Sequence, residues 1–117
     1  MRVLNGVICV VLILFVLVQY NDPDPLIWGS VYGLAALWCG LAAFAPRAYE
    51  TALTRLLVAL SFLASLVGVW FWWPDTPHWW MEEVWWNVET AREGMGAMIV
   101  AGATLIATLA ALRIGRA

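Results

Sequence analysis

Seven of the eight carboxylates in this 117-residue chain fall in two short segments, Asn21-Asp22-Pro23-Asp24-Pro25 and the stretch from Asp75 to Glu93. Asp22, Asp24, Glu82, Glu89, Glu93 and the sole histidine, His78, are residue types that ligate metals. Hard cations take carboxylate and carbonyl oxygens, whereas an imidazole nitrogen favours zinc, iron or manganese. The cofactor these six imply is a divalent metal ion whose identity the residues do not name. No His-Glu-x-x-His motif is present, so spacing alone defines the set. Trp85 and Trp86 border the acids, and aromatic faces beside carboxylates are the ingredients of a pocket for an organic cation such as a quaternary ammonium. Gln19 and Asn21 from the first segment and Arg92 from the second are placed to orient such a ligand.

Each of these residues also has a plainer role open to it. Asp24 precedes Pro25 and suits the cap of a following helix, and Asp22 can satisfy amides in the same turn. Glu89, Glu93 or Asp22 can simply neutralise Arg92, while Asp75, Glu82 and Glu83 suit solvated surface and His78 the headgroup layer. Yet like charges at i, i+4 on one helix repel. A face carrying so many acids calls for a counter-cation, a bound proton or Arg92.

Everything around the two segments is apolar. The chain is 64% hydrophobic with a mean hydropathy of +0.84 and only 12% charged residues. A soluble domain is about half apolar and roughly a quarter charged, so this composition describes one membrane domain over residues 1–117. Four apolar runs, about 3–20, 26–45, 52–73 and 94–112, each approach the roughly 20 residues that cross a bilayer core. The first run is longer than a signal peptide's apolar region and lacks a small-x-small cleavage site, so it reads as a retained helix. The expected fold is an all-α membrane protein: a four-transmembrane-helix up-down bundle with an amphipathic interfacial segment before the last helix.

That segment is expected as a helix over about 77–92, with Thr76 as N-cap and Pro77 in the first turn. At about 100° per residue, His78, Glu82, Trp85, Glu89, Arg92, Glu93 and Gly96 would share one sector. A bend near Gly94 or Gly96 would then lead into the last span.

Orientation follows from arginine, since the chain has no lysine. Arg2, Arg47, Arg55, Arg113 and Arg116 share one side of a four-span threading, and only Arg92 lies on the other. The positive-inside rule puts both termini in the cytoplasm and both acidic segments on the outer or periplasmic side. Eight of the nine tryptophans crowd that outer boundary, where interfacial anchoring is their ordinary role. Small residues at four-residue spacing, such as Gly29 and Gly33 or Ala103 and Ala107, suit packing inside one bundle, with a homodimer as the other use. Cys9 and Cys39 read as small buried hydrophobes.

The run Gln19-Tyr20-Asn21-Asp22-Pro23-Asp24-Pro25, followed by Trp28 and Tyr32 and later by Glu89-Thr90-Ala91-Arg92-Glu93-Gly94, resembles the transmembrane protein 220 family. The resemblance spans nearly the whole chain. It implies a helical multi-pass membrane protein and carries no established activity with it.

Four functions compete. The leading one is an outward-facing acidic cup, rimmed by tryptophan, that binds a metal ion or organic cation. A membrane enzyme acting on a lipid or lipid-linked substrate at the outer leaflet would use the same carboxylates as acid and base. A small cation transporter is the third, although no acid sits in the middle of a span to serve as a carrier site. The fourth is a structural subunit docking a membrane-protein partner. The lipid bilayer is the one certain partner, and no nucleic acid is expected.

Overall fold

The computed structural model describes residues 1–21 and 24–116, with Asn21 described by its backbone alone. Asp22 and the side chain of Asn21, both candidate site groups, therefore lie outside the described residues. All regular structure among the described residues is helical. Helix α1 is Arg2–Val18, α2 is Pro25–Phe44, α3 is Ala52–Phe71, α4 is Glu82–Asn87 and α5 is Glu89–Arg116. Three of these, α2, α3 and α5, are long and apolar enough to cross a membrane, and α1 is a shorter apolar helix.

The breaks have local causes. Pro25 opens α2 at a position where its missing N–H costs nothing. Ala45, held out of helical geometry before Pro46, ends it. A short 3-10 turn, Pro46–Glu50, then leads to Thr51, whose Oγ1 accepts from the Thr54 amide at 3.4 Å and caps α3. Tyr49 is fully buried in that turn and its hydroxyl donates to the Trp38 carbonyl at 2.7 Å. Burial, with Cys39 adding to it, pushes the Tyr49 phenol well up, so it remains a neutral donor.

Cross-helix contacts set the directions. Arg2 Nε donates to the Ala43 carbonyl, and the rings of Phe15 and Tyr32 meet edge to face at 5.4 Å, so α1 and α2 are antiparallel. Ser65 and Thr104 share a hydrogen bond of 3.2 Å, and Thr108 reaches the Val58 carbonyl, so α3 and α5 are antiparallel too. Cys39 Sγ lies against the Ala103 carbonyl, while Tyr32 sits over Gly96 further back, so α2 and α5 run parallel. The α2–α5 pair forms the centre, with α1 laid chiefly on α2 and α3 on α5.

This centre is built from small residues: Ala35 and Ala42 on α2 and Ala97, Ala103 and Ala107 on α5 are buried in one core. Lipid gives apolar helices no hydrophobic reason to associate, so close backbone approach and interhelical hydrogen bonds hold them, the latter about 0.6 kcal/mol each on average. Trp38 Nε1 donating to Ser61 Oγ at 3.0 Å adds an α2–α3 tie. Cys9 and Cys39 are buried free thiols within this packing. The small-residue spacing thus serves internal contacts at Ala103 and Ala107.

The segment before α5 departs from expectation. A helix over 77–92 does not form: the chain turns through 76–81, α4 covers only Glu82–Asn87, and Val88 is extended with φ −112° and ψ 112°. Pro74 is buried and, with the Trp72 carbonyl, lies directly over Gly94 of α5. The chain has to reverse immediately afterwards, and His78 takes φ 57° to do so. Stacked edges of Trp73 on Trp79 and Trp79 on Trp80 fill the turn. The bend falls at Val88, not at Gly94 or Gly96, and α5 runs unbroken for 28 residues, about 42 Å at 1.5 Å per residue.

Candidate functional site

The parallel packing of α2 on α5 carries Asp24, at the start of α2, and the Glu89–Glu93 turn, at the start of α5, to the same end of the molecule. Carboxylate oxygens of Asp24, Glu89 and Glu93 lie within 4.8 Å of one another. Asp24 occupies the N-cap position of α2 but its side chain makes no cap hydrogen bond there. Its carboxylate is turned to the glutamates. These three are the sequence candidates that the structure gathers.

His78 and Glu82 do not join them. The imidazole meets Trp80 edge to face with ring centres 5.3 Å apart, and Glu82 lines another open hollow with Met81, Glu83, Trp86 and Asn87. The shared stripe required one continuous helix from 77 to 96, and the turn at His78 and the break at Val88 remove it.

Beside the three carboxylates is a cavity of about 650 Å³. Its floor is Trp28 and Tyr32 of α2, its cover is Trp85 and Trp86 of α4, and Gln19, Arg92 and Glu93 supply polar groups at one end. Phe15 and Val18 of α1 and Met95 and Ile99 of α5 form the other end. Four of the five residues expected to bind a ligand, Gln19, Trp85, Trp86 and Arg92, thus line one space, and Glu93 joins it to the carboxylate cluster. Gln19 Nε2 donates to the Phe15 carbonyl at 3.0 Å, which fixes its orientation.

Arg92 has a structural task that sequence did not show. Its Nη1 donates to the carbonyls of Trp85 at 3.1 Å and Trp86 at 2.7 Å. Orphan carbonyls at a helix C-terminus attract such donors. The guanidinium therefore clamps α4 over the cavity and sets both tryptophans in its wall.

Trp28, Tyr32 and Gly96 were not candidates from sequence, although Trp28 and Tyr32 stood out in the family resemblance. A Cβ on Gly96 would run into the Tyr32 hydroxyl, so glycine permits the hydroxyl end of that ring to approach α5. Trp28 is 5% exposed and touches both Tyr32, at 5.9 Å, and Trp72, at 5.4 Å.

The family model described as transmembrane family 220, helix, matches residues 11–109. The chain belongs to transmembrane family 220. As a member of that family it is an integral, multi-pass membrane protein, and the matched region takes in every residue of the cavity and of the carboxylate cluster. No curated protein and no solved structure matches this family 220 chain.

Proposed function

We propose that this family 220 protein is a four-span bundle that presents, at its outward end, a cup for an organic ammonium cation. The observation that carries this reading is the cavity of about 650 Å³, large for a single ion and walled by Trp28, Tyr32, Trp85 and Trp86 with Glu93 among them. Aromatic faces attract a cation through their quadrupole, by about 2 kcal/mol or more when desolvated, and a carboxylate in the same wall adds charge. Small-molecule sites have this make-up: mostly apolar, a few hundred Å³, with few polar groups. The four-span threading is supported by the antiparallel α1–α2 and α3–α5 contacts. Arg2 and Arg55 make their hydrogen bonds at the end opposite the acids, which by the positive-inside rule is cytoplasmic.

A second reading, a divalent metal held by Asp24, Glu89 and Glu93, is favoured by their mutual approach within 4.8 Å. Hard cations take such oxygen sets.

Titration of purified protein in nanodiscs with tetramethylammonium, read by tryptophan fluorescence, tests the first reading. A saturable change that weakens at least tenfold in Glu93→Gln is expected. A linear response identical in the two proteins would defeat it. Elemental analysis of the same preparation decides the second: stoichiometric metal lost in Glu89→Gln supports the ion, and its absence sinks the ion.

A further inference from the structure

The cavity is lined by both polar and apolar groups, which lie at different depths along the helices. On α5 the polar groups Arg92 and Glu93 come first, and Met95 and Ile99 follow deeper in the span. That run covers about 10 Å of helix at 1.5 Å per residue. At the end of α1 the order is reversed, with Gln19 just past the helix and Val18 and Phe15 earlier within it. The helices α1 and α5 touch each other little, because each is packed chiefly on a different partner. Phe15 and Val18 from α1 and Met95 and Ile99 from α5 line the same space. Val18 and Ile99 are 59% and 41% exposed.

The polar end carries both signs of charge. Arg92 and Glu93 are adjacent and both line the space. The two carbonyl bonds engage Nη1 of Arg92, and a guanidinium presents five N–H donors in all, so a phosphate can be met by the Nε–Nη2 edge. An isolated ammonium leaves the guanidinium without an anionic partner, and an isolated phosphate would be repelled by Glu93 and by Asp24 and Glu89 beside it. A ligand with both charges a few ångströms apart complements the two.

We infer that the cavity takes a zwitterionic phospholipid from the bilayer, its ammonium at Glu93 among the tryptophans, its phosphate at Arg92, and one acyl chain along Phe15, Val18, Met95 and Ile99. This rests on the reading of the cup as an ammonium site and names its ligand class. The lipid enters laterally through the α1–α5 gap, so no aqueous route is needed.

Native mass spectrometry of protein released from nanodiscs of equal parts phosphatidylcholine, phosphatidylethanolamine and phosphatidylglycerol tests the inference. Zwitterionic lipids are expected to be retained at least tenfold over phosphatidylglycerol. Glu93→Gln should abolish that preference. Ile99→Trp, which fills the chain end from an exposed lip and is tolerable to the fold, should cut retention at least tenfold, whereas Leu60→Trp on the lipid face of α3 should not. Equal retention of all three lipids, or no effect of Ile99→Trp, overturns the proposal. If tetramethylammonium still binds the wild type in that event, the cup reading survives without the lipid. If it does not, both fall together.

Discussion

Single side chains in this protein are placed by close contacts that leave little freedom, and several are testable one at a time. A Cβ at position 94 would stand 2.5 Å from the Trp72 carbonyl oxygen, which is backbone and cannot step aside cheaply. Gly94→Ala is expected to cost about 1–3 kcal/mol, as overpacking of a tight contact does. A lowered midpoint in detergent melting is the measurement. His78 presents the opposite case. Its φ of 57° suits glycine better than most side chains, and its ring meets Trp80 alone among the aromatic rings of the described residues. His78→Gly should hold or raise the melting midpoint and leave ligand binding unchanged. A metal-ligating histidine would show the reverse.

At the scale of the element, α4 is the piece that could not stand alone. Six residues are far below the dozen or more that an isolated helix needs. Its only described side-chain tie to α5 in the hydrogen-bond network is the Arg92 clamp on Trp85 and Trp86. Arg92→Gln should therefore speed amide exchange across Glu82–Asn87 by at least tenfold while the middle of α5 exchanges as before. Equal protection in both proteins would mean that aromatic packing, not the guanidinium, holds α4. The contrast with α3 is instructive. Only Val58 among its described residues is buried, yet its length and apolar composition suffice in a medium that hides its outer face.

For the whole molecule, the extents of 45 × 25 × 22 Å put its long axis near the full thickness of a bilayer with its headgroups, roughly 40–45 Å. The 28 residues of α5 exceed the hydrocarbon core, so its ends stand in the headgroup layers. That places Glu89 and Glu93 at one face and Arg113 and Arg116 at the other. Both native cysteines are buried, which gives a quiet background for labelling. In the proposed orientation, Glu83→Cys reacts with an impermeant maleimide on intact cells, and Arg116→Cys reacts only after permeabilisation. The inverse pattern would reverse the topology and turn the cup inward.

The sequence by itself determined the medium, the four apolar runs and the two acidic segments, because hydropathy and proline placement act locally. The start of α2 at Pro25 and its end at Ala45 were legible for that reason, as was the approach of Asp24 to the Glu89–Glu93 turn, which needs only an alternating path. The carboxylate stripe from His78 to Glu93 was legible in spacing and nonetheless wrong. Spacing assumes one straight helix, and the docking of Trp72 and Pro74 on Gly94 forces a turn that no local signal announces. Only the tertiary structure decided that Arg92 binds carbonyls, that Tyr32 lies on Gly96, and that α1 and α5 part to leave a cavity. Those facts depend on which helices touch, and in lipid that choice is made by shape and small-residue fit, not by apolarity, which every face shares.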